Sequence, residues 1–257
     1  MVLNLELNLM RNQIVILAAG KGTRMGDSNV PKVLVMLKNK PLILHLLDEV
    51  EKINQLAKPV IVVGHMYQKV REVLGDGFLY AIQDKQLGTG HAVLSAKHKI
   101  TGENILVLNG DMPFMKAENL KKLLRLHQAK RANISMFTTV VSNYKGLNKS
   151  FEHFGRIVRG SNKKITKIIE YKDASLGQRK IKELNTGIYM FNAAWLWQHA
   201  AKIKNQNAQD EYYLTDIVEV AILQGEKVES LNIEAKEVIG INSPEDLKLA
   251  EQKIKQA

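Results

Sequence analysis

Four apolar runs rich in β-branched residues, QIVILAA at 13–19, PVIVVG at 59–64, NILVLNGD at 104–111 and NISMFTTVVS at 133–142, are separated by stretches with helical spacing. Strands that are apolar throughout, rather than apolar and polar by turns, belong to a sheet covered on both faces. Their alternation with helices makes that sheet mostly parallel, because parallel neighbours need a crossover long enough to hold a helix. The intervening segments PLILHLLDEVEKINQL (41–56) and AENLKKLLRLHQAKR (117–131), and later LTDIVEVAILQG (214–225), repeat apolar residues at three- and four-residue intervals, as helices with one buried face do. The pattern therefore predicts an α/β fold with helices on both faces of a mostly parallel sheet.

After about residue 142 the rhythm changes. FGRIVRGSNKKITKIIEYKD (154–173) reads as two short strands around the turn-prone GSNKK, a small antiparallel insertion where a sugar or acceptor could sit. The final INSPEDLKLAEQKIKQA reads as the end of a strand followed by a helix, with Ser243 as N-cap, Pro244 at the first helical position and Glu245 and Asp246 in the first turn. No internal repeat is present, and no hexapeptide β-helix repeat in particular.

Composition narrows the class. A chain of 257 residues, 45% of them hydrophobic, can bury one sizeable core. The lack of cysteine excludes disulfides and thiolate metal sites and suits a reducing compartment. No apolar run approaches the roughly 20 residues of a membrane span, and the opening MVLNLELNLMRNQ carries Glu6 and has no signal-peptide core; a cytoplasmic protein without a membrane partner is expected. The net charge of +11 concentrates in residues 156–182, with nine Lys or Arg against two acids. Only two aromatics, Tyr171 and Phe154, lie in or near that stretch, and no stacking platform, helix-turn-helix or zinc-finger spacing occurs, so no nucleic-acid partner is expected. The basic stretch reads either as a solvated face or as a surface that collects an anionic substrate.

Three short motifs carry the chemistry. In LAAGKGTRMGDSNVPKVLVML (17–37), three glycines, three basic residues and a proline occupy one connection after a strand. Without Cβ atoms in the way, backbone N–H groups there can approach phosphate oxygens, and Arg24 and Lys32 add charge; an ordinary surface turn fits the same residues. The loop is neither the GxxxxGK[ST] nor the GxGxxG fingerprint. In LNGDMPF, Asp111 follows an apolar strand, at the carboxyl edge where open α/β sheets meet their ligands; a lone carboxylate there suits Mg²⁺, or simply makes a turn before Pro113. In QDKQLGTGHAV, Gly88, Thr89 and Gly90 open a helix after the strand FLYAIQ, and Gln83 and Gln86 offer amides able to pair with a base edge or to stay in solvent. Gly155, Glu170 and Asn185 are polar or small candidates further on, each open to a structural role, and Asn242 beside the Ser243 cap is explained by helix capping or plain solvation without any metal. The seven histidines (45, 65, 91, 98, 127, 153, 199) show no HExxH spacing, no GxSxG elbow occurs, and Trp195 and Trp197 read as core or helix surface.

In this order, LAAGKGTRMGDSNVPKVL, QLGTGHAV, NGDMP, FGRIVR, IIEYKDA and ELNTGIYMF resemble the uridyltransferase domain of the bifunctional N-acetylglucosamine-1-phosphate uridyltransferase/glucosamine-1-phosphate acetyltransferases, over about residues 13–250. The resemblance implies the Rossmann-like fold of nucleotide-diphospho-sugar transferases as a single domain over 1–257, with a nucleotide-binding part at about 13–142, a sugar-binding part at about 143–242 and a C-terminal helix at about 243–257. It implies UTP and N-acetylglucosamine-1-phosphate as substrates and Mg²⁺ as cofactor. Matched motif by motif, Leu17, Ala18, Ala19, Gly20 and Gly22 line the nucleotide; Arg24 and Lys32 face the phosphates; Gln83, Gln86, Gly88 and Thr89 lie at the uracil; Asp111 and Asn242 match the magnesium ligands; Gly155, Glu170 and Asn185 match the sugar site. Two departures stand out. Asn109 replaces a frequent tyrosine, and Ser243-Pro244-Glu245-Asp246 replaces an amide- and arginine-rich continuation, so another sugar, another base, or a nucleotide-binding module without catalysis stay open. The motifs of the family's acetyltransferase part are not found, so no acetyl transfer is expected, and a monomer or weak dimer is.

Overall fold

The computed structural model describes residues 12–26, 29–53 and 56–256. The opening segment with Glu6, on which the expectation of no leader rests, lies outside the described residues, as do residues 27–28 of the first loop. In chain order the elements are β1 (Asn12–Ala18), β2 (Met36–Leu37), β3 (Lys40–Pro41), α1 (Leu42–Glu51), β4 (Ala57–Val63), α2 (Tyr67–Leu74), β5 (Leu79–Ile82), α3 (Thr89–Ser95), β6 (Asn104–Asn109), α4 (Ala117–Lys130), β7 (Ile134–Val140), β8 (Arg156–Arg159), β9 (Ile165–Ile169), β10 (Glu183–Asn192), α5 (Ala193–Ala200), α6 (Leu214–Leu223), β11 (Val228–Asn232) and α7 (Pro244–Gln256). The four apolar runs are β1, β4, β6 and β7.

The main sheet has the order β11-β7-β10-β6-β1-β4-β5. Every pairing along it is parallel except those of β10, which runs antiparallel between β6 and β7. Successive side chains of a strand point to opposite faces, and here both faces are covered. Ile14, Ile16, Ile61, Leu106 and Leu108 pack beneath α1 and α4. Val15, Val60, Val62, Ile105 and Val107 pack beneath α3, α5 and α6. The continuous apolar runs thus have the reason expected of them, and the predicted α/β architecture holds.

The insertion after residue 142 is the hairpin β8–β9, closed by the turn at Gly160–Lys164 and joined to the sheet through Arg156 opposite Leu184 of β10. Ser243 caps α7 as predicted, its Oγ accepting from Asp246 N at 3.2 Å. The segment ahead of it is not a strand. Residues 235–237 form a short 3-10 turn, and Val238, Ile239 and Ile241 spend their apolar side chains in the core with no sheet edge beside them. Ile241 N instead donates to Asp111 O at 3.0 Å, which fastens the start of the C-terminal helix to the end of β6.

Candidate active site

At the carboxyl edge of the parallel strands, two cavities of about 420 and 270 Å³ share a wall made of Leu17, Thr89, Asn109 and Asp111. The larger lies under the first loop. Leu17, Ala18, Ala19, Gly20 and Gly22 line it together with Lys32, and across from them stand Gln83, Gln86, Gly88 and Thr89. The smaller lies between β6, β10 and the β8–β9 hairpin and is lined by Gly155, Glu170, Asn185 and Asn242. Every predicted site residue except Arg24 therefore faces one cavity or the other. Arg24 is exposed near the rim, with Nη2 3.4 Å from Asn242 Oδ1.

Local sequence explains the shape of the larger cavity. Gly88 has φ 105°, a conformation closed to side chains, and a Cβ there would meet Tyr212 O at 2.6 Å. This close approach docks the 87–90 turn onto the 211–214 strand of backbone, where Gly90 N donates to Tyr212 O and Tyr212 N to Leu87 O, both at 2.8 Å. Gly22, at φ 63°, lets the Lys32 stem cross the first loop, since a Cβ there would lie 2.8 Å from Lys32 Cβ. Gln83 is not solvated. It is 3% exposed, and its Nε2 donates to Gly88 O at 3.1 Å and lies 3.0 Å from His91 Nδ1.

At the shared wall, Lys32 Nζ lies 2.5 Å from Asp111 Oδ2 and 2.9 Å from Asn242 Oδ1. Three residues far apart in sequence thus converge on one point, and the Asn242 side chain is held by Lys32 rather than by the helix it precedes. Its backbone N–H is held separately, donating to Asp246 Oδ2 at 3.0 Å.

The smaller cavity is built from side chains. Glu170 accepts from Thr215 Oγ1 at 3.0 Å, and burial, reinforced by the nearby Asp216, Asp173 and Glu211 charges, pushes its carboxyl above the usual range. Asn185 Oδ1 accepts from Gly187 N at 3.1 Å, and Asn109 Nδ2 donates to Gly187 O at 3.4 Å. Tyr189 is 1% exposed; its hydroxyl makes no hydrogen bond of good geometry, with the Asn185 side chain beside it, and burial raises its pKa well above that of a free tyrosine. His153, Tyr189 and Thr215 also line this cavity and were not anticipated. Strand alternation does not mark Tyr189, because β10 has a register shift between Asn185 and Tyr189. No local signal marks Thr215, which reaches the site only because α6 begins there.

Residues 14–151 match the MobA-like NTP transferase domain. The chain belongs to that family. The chain is 41% identical over 249 residues to the bifunctional protein GlmU of Caldicellulosiruptor saccharolyticus, covering 95% of this chain and 52% of the relative. It is 40% identical over 245 residues to the bifunctional protein GlmU of Bacillus licheniformis, covering 94% and 52%. The chain thus spans about half the length of the curated relatives it matches. Among solved structures, a UDP-glucose pyrophosphorylase complexed with UDP-glucose superposes with a TM-score of 0.77 at 17% identity, covering 96% of this chain and 99% of that one. The inositol-1-phosphate CTP transferase of T. maritima superposes with 0.70 at 21% identity, covering 97% and 98%. These likenesses place the chain in the nucleotide-sugar transferase fold. Among its described residues, no helix is long and apolar enough to cross a membrane.

Proposed function

We propose that the chain transfers UMP from UTP to N-acetylglucosamine-1-phosphate, giving UDP-N-acetylglucosamine and pyrophosphate, in the reducing environment that a chain without cysteine suits. The observation that carries this reading is the shared wall. A nucleotide in the larger cavity and a sugar phosphate in the smaller would bring their phosphates together at Asp111, beside the Lys32 ammonium. The similarity to GlmU proteins over nearly the whole chain supports UTP and the N-acetylated sugar as the pair.

In that reaction an oxygen of the sugar 1-phosphate forms a bond to the α-phosphorus of UTP, and the bond from that phosphorus to the bridging oxygen of the β-phosphate breaks, releasing pyrophosphate. The attacking group needs no general base, since a phosphate monoester loses its second proton near pH 6. The obstacle is the approach of one anion to another, so catalysis rests on alignment and on cations. The Lys32 ammonium holds the phosphates at the junction, and Arg24 at the rim attracts the leaving pyrophosphate. Gly155, Glu170 and Asn185 hold the sugar.

Mg²⁺ fits the residues present. Asp111 and Asn242 offer one carboxylate and one amide oxygen, both within hydrogen-bond reach of the same point, the Lys32 ammonium. Among the described residues no cluster of three or more His, Cys, Asp or Glu could hold a metal unaided, which suits an ion that keeps water and substrate phosphates in its shell. Bound there, it would neutralise phosphate charge. The test is pyrophosphate release over a matrix of NTPs and sugar 1-phosphates, with and without EDTA. Fastest release from UTP with the N-acetylated sugar, lost in EDTA, supports the reading. A faster pair elsewhere in the matrix replaces the substrates, and no release from any pair leaves a nucleotide-binding module.

A further inference from the structure

The convergence on Lys32 has a consequence for how the site takes up a cation. Its ammonium already occupies the point where the Asp111 and Asn242 side-chain oxygens meet, at 2.5 and 2.9 Å. These are the two protein oxygens best suited to a divalent ion, and an ammonium and a metal cannot use the same lone pairs. We propose that Lys32 is the resident counter-ion of the Asp111–Asn242 oxygen pair, so that the chain without substrate resists divalent cations and accepts one when phosphates draw Lys32 away. This rests on the reading of the site given above and adds an internal competitor to it.

Three features make the exchange workable. First, the backbone that carries the oxygen pair is fixed without Lys32. Ile241 N donates to Asp111 O at 3.0 Å and ties the two segments together through the backbone, while Asn242 N donates to Asp246 Oδ2, also at 3.0 Å, and holds Asn242 against the start of α7. Second, Lys32 has somewhere else to go. It lines the larger cavity, so a polyphosphate there presents anionic oxygens within reach of the same flexible side chain. Third, the ion pair is only partly sheltered, with side-chain exposures of 16% for Lys32 and 11% for Asp111, so water can replace whichever partner leaves.

Competition of this kind is reciprocal. If the ammonium weakens metal binding in the free chain, the metal loosens the ammonium by the same factor, and nucleotide and metal bind cooperatively with no change in fold. The free chain would then hold no metal on Asp111 until a phosphate had arrived.

The experiment titrates Mn²⁺ into the full chain without nucleotide or sugar, reading free aquo-Mn²⁺ by electron paramagnetic resonance. It compares wild type, Lys32→Met, Lys32→Gln, Asp111→Asn and the Lys32→Met/Asp111→Asn double variant, with circular dichroism and thermal melts to confirm folding. Lys32→Met is expected to bind Mn²⁺ about tenfold more tightly than wild type, within the usual range of coupling between sites. Lys32→Gln, whose amide is a weaker competitor, falls between them, and Asp111→Asn removes the tight site in both backgrounds. Folded Lys32→Met and Lys32→Gln proteins that bind Mn²⁺ no better than wild type overturn the proposal. So does a gain that survives Asp111→Asn, which would place the ion elsewhere. The uridyltransferase assay is read separately: a chain that transfers UMP without tightening Mn²⁺ in the variants keeps the function and loses the competition, whereas one that tightens Mn²⁺ and transfers nothing keeps the competition and loses the substrates.

Discussion

The two cavities are made of different material. The larger is lined mainly by two glycine-rich loops that each directly follow a strand, joined by Asn109, Asp111 and Glu211. The smaller is walled by side chains from the ends of β6, β10 and α6 and from the hairpin. Backbone suits a polyphosphate, whose oxygens accept from any N–H brought close enough. A sugar differs from its isomers only in where its hydroxyl and amide groups point, so its site has to place individual polar side chains and keep them dry. That division predicts that the larger cavity is damaged by adding atoms and the smaller by removing them.

The sharpest way to break the comparison is at the wall the cavities share. Asp111→Ala and Lys32→Ala are each expected to lower turnover by at least about 10²-fold, as loss of a single transition-state stabiliser does. Pyrophosphate release at saturating substrates measures it. Near-normal turnover in either variant would mean that the phosphates meet somewhere else.

Within the larger cavity, Gly20 and Gly88 separate ligand space from folding. A Cβ at Gly20 has nothing within 4 Å, whereas one at Gly88 runs into Tyr212 and requires a φ of 105°. Gly20→Ala is expected to raise the KM for UTP by about tenfold with stability within about 0.5 kcal/mol of wild type, because the new methyl enters only the space a ligand would fill. Gly88→Ala should do the same damage to UTP binding and also destabilise the fold by about 1–3 kcal/mol. Thermal melts beside a UTP titration distinguish them. A Gly20→Ala variant with unchanged KM for UTP would remove the first loop from the nucleotide site.

This contrast also sets what could be read from the residues alone. The first loop announces itself: glycines, Arg24 and Lys32 lie within a dozen or so positions after an apolar strand, so one window of sequence holds most of the wall. The sheet is equally plain, because strands buried on both faces leave continuous apolar runs. What stayed hidden is β10. Its antiparallel entry between β6 and β7 brings Asn185 to the same edge as Asp111, and no local pattern states which strands a segment will lie between. Tyr189 and Thr215 were missed for the same reason, their place in the site being set by topology. Asn242 shows the limit from the other side. Its neighbours explain it as a cap, and only the long-range bonds from Ile241 to Asp111 and from Lys32 to Asn242 bring it beside Asp111.

In the smaller cavity, Tyr189→Phe tests whether side chains are the working material. The buried hydroxyl makes no hydrogen bond of good geometry, so deleting it should leave thermal stability unchanged or slightly higher. If the sugar or a side chain rearranged by the sugar supplies the missing partner, the KM for the sugar phosphate rises by about fivefold to tenfold while that for UTP stays put, the size of one hydrogen bond. Equal effects on both substrates would show that the cavities are not independent in the way their walls suggest.

The smallest effect concerns a carboxylate just behind the smaller cavity. Asp216, one residue after the Thr215 that holds Glu170, has its pKa raised to about 6 by burial and by the Glu219 and Asp173 charges. Because the folded pKa lies above that of the unfolded chain, the protonated form is the one the fold prefers. Its stabilising contribution is complete below about pH 4 and is lost as pH rises toward 6; above that the buried charge is a constant burden. Asp216→Asn should therefore be more stable than wild type at pH 8 by about 1 kcal/mol, a figure reduced for the group's partial exposure to water. The advantage should shrink through pH 6 and disappear near pH 4, as denaturant melts across that range would show. An advantage that does not change with pH would mean that the aspartate is disfavoured by its shape rather than its charge. A smaller-cavity wall that retains a disfavoured carboxylate against Thr215 and Glu170 would then be a matter of packing, and the contrast with the loop-built cavity would rest on Glu170, Asn185 and Tyr189 alone.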